Sequence, residues 1–117
     1  MTICRSEFLT KSFEWNNLNI RYIDSGEGGN PLICLHGFGG DKNNWQFNLA
    51  AIAPHRRILA LDFPSHGDST VSKEHSCTSS FAQIVLAIMD HLEFEKVDLA
   101  GHSRGGLVAL KVAKENP

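Results

Sequence analysis

The chain has 117 residues, enough for one domain, and its 42% apolar and 21% charged content is that of a globular protein with a packed core. A net charge of −2 leaves no basic stripe, which argues against nucleic acid or an anionic membrane as partner. No apolar run of about eighteen residues occurs, and Met1 to Phe13 carries Arg5, Glu7 and Lys11, so neither a bilayer span nor a secretion leader is expected.

Phe13-Glu14-Trp15 and Leu18 to Tyr22 alternate around Asn16-Asn17, which predicts a β-hairpin with a tight turn. Asp24 to Pro31 is a glycine-rich loop closed by proline. Three short apolar runs follow: Leu32 to Leu35, Ile58 to Leu61 and Val97 to Ala100. Each is nearly continuous, as strands covered on both faces are. Between them, Trp45, Leu49 and Ile52 recur at helical spacing until Pro54. Phe81, Ile84, Val85, Ile88 and Leu92 form a second helical stripe, with Ser80 and Gln83 spaced as a capping box at its start. A third helix is expected from about Ser103 to Asn116-Pro117. Alternating β and α segments imply right-handed crossovers and a mostly parallel sheet between helices. The predicted class is α/β: a hairpin followed by βαβαβα units, as a single domain over residues 1–117.

The three cysteines, Cys4, Cys34 and Cys77, are odd in number and widely spaced, with neither a metal-binding nor a disulfide pattern. A reduced, cytoplasmic setting follows, with Cys34 as a small core residue. No metal and no cofactor is expected. His55, His75 and His91 lack ligand spacing and read as solvated, and a phosphate loop of the form G-x-G-x-x-G would need glycine where Lys42 stands. Lys111, Lys114 and Glu115 read as a solvated helix face, and Trp45 as core rather than a substrate wall.

The chemistry concentrates in Gly101-His102-Ser103-Arg104-Gly105-Gly106, between a strand and a helix. A G-x-S-x-G turn there drives its central serine toward positive φ and brings strand and helix almost into collision. Gly101 and Gly105 remove the side chains that would clash, and the Ser103 hydroxyl is left exposed at a helix N-terminus, where negative charge is favoured. The Arg104 N–H is one candidate oxyanion donor. The second is the Phe38 N–H, from the loop His36-Gly37-Phe38-Gly39-Gly40 after the first central strand. Both loops leave C-terminal strand ends, where open α/β sheets bind ligands. The plainer alternatives are an N-cap serine at 103 and a generic glycine-rich loop at 36–40. For Asp62 to Ser69 a purely structural turn is favoured.

These motifs, in this order from about Phe13 to Pro117, resemble the N-terminal half of an α/β-hydrolase-fold protein. The stretch His36 to Asn48 also resembles the hydrolase-like domain of acetoin-dehydrogenase acyltransferase components and meta-cleavage-product hydrolases. The resemblance implies a serine hydrolase acting on a small-molecule carboxylic ester or related acyl compound through an acyl-enzyme at Ser103. It leaves open an acyltransferase, a carbon–carbon bond hydrolase or a non-catalytic binding protein on the same fold; Ser103 argues against relatives with an aspartate nucleophile. In the family the acid and histidine follow the nucleophile, and the chain ends at Pro117, fourteen residues after Ser103, with no histidine between. The expected domain is therefore incomplete, its C-terminal half absent, and this chain is expected to be inactive alone. His36 and His66 belong to motifs that the family uses structurally, and His102 should point away from its neighbour's hydroxyl. One departure from the family pattern is Ser65, where glycine is usual.

Overall fold

In the computed structural model, which describes residues 8–26 and 28–116, strand β1 (Thr10–Trp15) pairs antiparallel with β2 (Leu18–Asp24), Phe13 opposite Ile20. Cys4, the start of the segment judged not to be a leader, Glu27 and Pro117 lie outside the described residues. The connecting Asn16 and Asn17 have φ of 47° and 64°. A two-residue hairpin turn with two left-handed residues matches the twist of its strands, and asparagine tolerates that conformation better than most residues.

The sheet order is β1-β2-β4-β3-β5, with β3 at Leu32–Leu35, β4 at Ile58–Leu61 and β5 at Asp98–Gly101. Strands β4, β3 and β5 are parallel, and β2 joins β4 antiparallel. Helices α1 (Gln46–Ile52), α2 (Thr78–His91) and α3 (Arg104–Glu115) connect and cover them.

Period-two alternation divides the core between the two faces of the sheet. Ile33, Leu35, Leu59 and Leu61 face α2 and α3, packing with Phe81, Ile84, Val85, Ile88, Val108 and Val112. Cys34, Ile58 and Ala60 face the other way, toward Leu49 of α1 and Trp45. Burial with no polar partner pushes the Cys34 thiol up to about 12, as suits a core residue.

Three expectations are corrected. The strand after the second long helix spans Asp98–Gly101 and is not covered on both faces: Asp98 and Gly101 are exposed, Leu99 and Ala100 half-buried. It pairs with β3 alone among the described residues and forms a sheet edge. The Ser80–Gln83 capping box does not form, because α2 begins earlier, at Thr78, capped by Cys77 without a side-chain bond. Ser80 sits inside the first turn, buried, its hydroxyl 3.2 Å from His75 Nδ1. His75 is thus half-buried, edge-on to Trp15, and exposed His91 stacks on Phe13, so neither ring is simply solvated. A capping box does occur before α1, at the 3-10 turn Lys42–Trp45: Asn43 N–H donates to Asp41 and Asp41 N–H to Asn44 Oδ1, each at 2.8 Å.

Leu49 is the one buried side chain of α1, whereas Phe47 on its outer side is 66% exposed. Leu49→Ala should therefore lower stability by about 2–5 kcal/mol, and Phe47→Ala by less than about 0.5 kcal/mol, as measured by urea unfolding.

Candidate active site

The loop after β3 and the turn after β5 meet at the C-terminal end of the parallel strands. Residues 37–40 form a tight turn, Gly40 N–H donating to Gly37 O at 3.0 Å, with Gly39 at φ 78°. A positive φ at that third turn position requires glycine, and the turn leaves the N–H of Phe38 outside its own hydrogen bond. The Phe38 ring is 79% exposed at the rim.

The turn after β5 is strained at one residue. Ser103 has φ 56° and ψ −116°, a conformation costing a non-glycine residue about 1–3 kcal/mol. Its hydroxyl makes no capping hydrogen bond to α3, so it is not an N-cap serine in function. Around it, His102 N–H donates to Leu35 O, Gly105 N–H to His102 O and Gly106 N–H to Ser103 O. Among the described residues neither Phe38 N–H nor Arg104 N–H is spent on a turn or ladder bond.

Glycine is required here by close approach. A Cβ on Gly101 would strike the Gly105 carbonyl, and one on Gly105 would strike the carbonyls of Leu35 and His36. Gly105 thus clears β3 rather than its own strand, which lets α3 start against the sheet. A Cβ on Gly37 would lie 3.1 Å from Ser103 Cβ, so the two loops touch at that point. Gly106 has ordinary room, its nearest neighbour at 3.7 Å.

A cleft of about 560 Å³ opens over this junction, lined by Gly37, Phe38, Trp45, Asn48, His102 and Ser103 among others. Trp45 is both core and wall, since it packs against the α1-side core and lines the cleft. Its indole nitrogen is buried with no hydrogen-bond partner among the described residues. His102 of the serine turn lines the cleft as well, as does Asn48, which no chemical role had singled out. Arg104 instead sends its side chain to a neighbouring pocket.

The two loop histidines are structural. His36 Nε2 accepts the Phe63 N–H at 3.1 Å, which leaves the proton on Nδ1 to donate to Gly37 O at 2.8 Å. Burial lowers the His36 pKa, only partly offset by its bond to Gly37, so the ring is held neutral. His66 Nε2 accepts the Gly39 N–H at 3.2 Å, and its Nδ1 donates to Pro64 O at 3.0 Å. With both nitrogens engaged, each ring braces the loop that carries Phe38.

The Asp62–Ser69 turn positions His66. Asp62 is fully buried and accepts from Lys42 N–H (2.7 Å), Lys42 Nζ (2.7 Å) and Asp68 N–H (2.8 Å). Burial pulls the Lys42 ammonium pKa down, but bonds and charge from Asp62 and Asp68 outweigh it, and the net shift is upward. No periodicity marked Lys42 as buried; the signal is the pair of acids at 62 and 68, six residues apart around a glycine. Ser65 takes φ 68° and is held there by its hydroxyl, which accepts from Ser72 N–H (2.9 Å) and Ser76 Oγ (2.8 Å). Those bonds replace the conformational freedom that glycine would supply. Among the described residues no group of three or more His, Cys, Asp or Glu is placed to hold a metal.

Residues 30–117 match the family model described as alpha/beta hydrolase fold. The chain belongs to that family. It is 52% identical over 88 residues to the dihydrolipoyllysine-residue acetyltransferase component of the acetoin cleaving system of Pseudomonas putida, covering 75% of this chain and 24% of that protein. It is 31% identical to the (E)-2-((N-methylformamido)methylene)succinate hydrolase of Acinetobacter baylyi, over 87% of this chain and 38% of that one. Among solved structures, a bacterial membrane phospholipase A superposes with a TM-score of 0.84 at 31% identity, covering 94% of this chain and 36% of the other. The chain spans from about a quarter to two fifths of the length of these relatives. Within the family, the hydrolase-fold elements through the serine turn and its following helix are those described above. No helix among the described residues is long and apolar enough to cross a membrane.

Gly105→Ala should destabilise the protein by about 3 kcal/mol, the upper range for overpacking, whereas Gly106→Ala should be neutral or gain up to about 1 kcal/mol from helix propensity; thermal unfolding of the two variants side by side measures this. Lys42→Met, which strands the buried Asp62 carboxylate, should cost about 3–5 kcal/mol in the same assay.

Proposed function

We propose that the protein is a serine hydrolase that cleaves a carboxylic ester or related acyl compound, with Ser103 as nucleophile. The observation that carries this is the strained backbone of Ser103, an exposed residue lining the cleft whose hydroxyl makes no capping bond to its own helix. Strain of that kind persists only where the surroundings over-determine it, here through the contacts of Gly37, Gly101 and Gly105.

In this mechanism Ser103 Oγ attacks the acyl carbon while its proton passes to a general base. The carbonyl π pair moves onto oxygen, which accepts from the Phe38 and Arg104 N–H groups. The tetrahedral adduct collapses, the C–O bond to the alcohol breaks, and the base returns its proton to that leaving group. Water then hydrolyses the acyl-enzyme by the same steps. His36 and His66 do not act as the base, because both ring nitrogens of each are engaged in bracing loops. In the order that the family resemblance implies, acid and base follow the serine in sequence. The free thiols of buried Cys34 and exposed Cys77 suit a reducing, cytoplasmic compartment.

A second reading, acyl transfer, is favoured by the acetyltransferase-component relative at 52% identity. The two share the acyl-enzyme and differ in whether water or another acceptor resolves it.

In the full-length protein, a fluorophosphonate probe should label Ser103, and Ser103→Ala should lose both labelling and p-nitrophenyl ester hydrolysis. Undiminished turnover in that variant overturns the assignment, and faster product release on adding a thiol acceptor would favour transfer over hydrolysis.

A further inference from the structure

Among the described residues Arg104 is the one arginine bordering the candidate site, and its side chain is differently placed from its main chain. The guanidinium lies over the face of buried Phe81, 5.1 Å from the ring centroid, and Phe81 stacks in turn on Phe63 at 4.3 Å. That aromatic column holds the planar group in one orientation without using its in-plane donors. One long bond, from Nη2 to Ser76 O at 3.4 Å, is its hydrogen bond among the described residues. An arginine has five N–H donors, so most of the fork is unspent.

The contrast with the neighbouring cations is informative. Arg56 meets Asp98 at 3.0 Å, Arg57 meets Asp24 at 2.6 Å and Lys42 meets Asp62 and Asp68 at 2.7 Å. Among the described residues no carboxylate lies within ion-pair distance of Arg104. Arg104 lines a pocket of about 380 Å³ together with Ser65, His66, Gly67 and Ser76, and its Nη2 reaches the Ser76 carbonyl there. Phe38, Gly39 and Gly40 form the wall between this pocket and the cleft over Ser103, and they border both. Asp41 also borders the pocket, but its carboxylate is occupied by the Asn43 N–H at 2.8 Å.

We propose that this pocket is an anion subsite of the proposed acyl site: Arg104 binds a carboxylate on the acyl part of the substrate, so the protein prefers half-esters of dicarboxylic acids. The inference rests on the serine-hydrolase reading and adds the substrate class. A planar carboxylate matches the guanidinium fork in two parallel hydrogen bonds. Because the same residue supplies a main-chain donor to the oxyanion, a ligand held by the side chain is registered against the reacting carbonyl.

The test compares mono-p-nitrophenyl glutarate with p-nitrophenyl valerate, which have acyl chains of equal length. The unaltered full-length protein, used throughout this test, should favour the glutarate half-ester in kcat/KM, and added salt should erode that preference. In Arg104→Gln the glutarate-to-valerate ratio should fall about thirtyfold, the equivalent of about 2 kcal/mol for a charge-assisted bond, and Arg104→Lys should fall between. Binding of monomethyl glutarate to Ser103→Ala, followed by calorimetry, should vanish when Arg104→Gln is added. A natural preference for valerate, an unchanged ratio in Arg104→Gln, or no monomethyl glutarate binding to Ser103→Ala overturns the proposal. Arg104-dependent binding without hydrolysis of either ester would sustain the subsite and overturn the serine-hydrolase reading instead.

Discussion

The carboxylate of Asp62 is the contact on which the candidate site hangs. It lies at the C-terminal end of β4, fully buried, and takes donors from Lys42 N–H, Lys42 Nζ and Asp68 N–H. Its main chain is tied as well, N–H to Arg21 O at 2.9 Å and carbonyl to the Ser69 hydroxyl at 2.6 Å. One residue thereby joins β2, β4, the entry to α1 and the 62–69 turn. A carboxylate buried without partners would be costly, and here a buried ammonium and two main-chain donors supply those partners. Gly67 is needed for the same reason, since a Cβ there would occupy the space of the carboxylate.

From that anchor the bracing runs outward to the cleft. The 62–69 turn holds His66, His66 holds Gly39, and Gly39 shares a tight turn with Phe38. His36 completes the frame by joining the end of β3 to Phe63 after β4. None of these groups needs to touch a ligand. Their work is to keep a glycine-rich loop, which would otherwise sample many conformations, in the one that leaves the Phe38 N–H free.

The serine turn shows the complementary case, where packing rather than hydrogen bonding enforces geometry. Ser103 is held at positive φ because α3 must start against β3, with the Gly105 α-carbon beside the Leu35 carbonyl. The helix then delivers Val108 and Val112 to the core, burial worth about 1.5–3 kcal/mol per large aliphatic side chain. That is comparable with the cost of the strained residue, so the strain is maintained by the helix that follows it.

Local pattern was enough to place the hairpin, the three parallel strands, the α2 stripe and the two glycine turns. Periodicity and turn chemistry act over a few residues, and Asn16-Asn17 or Phe81 to Leu92 carry their whole signal locally. Gly101 was legible because the collision it avoids is with the turn that follows it, whereas Gly105 proves to clear the distant strand β3. Long-range partnership was not legible. The Ser80–Gln83 spacing looked like a cap, but Ser80 is drawn inward to His75 and the helix starts at Thr78. Lys42 reads as a surface charge until Asp62, twenty residues away, closes over it. β5 looked like a strand covered on both faces, yet among the described residues it is half-buried to exposed, because burial depends on which elements pack against it rather than on its own letters. Arg104 was visible as a main-chain donor, yet only the meeting of α2, α3 and the 62–69 turn decided where its guanidinium points. Sequence by itself determined the elements and the chemistry-bearing turns, since these follow from neighbouring residues. The tertiary structure alone decided which charges are buried, which are paired and which remain free, since those depend on contacts between residues distant in the chain.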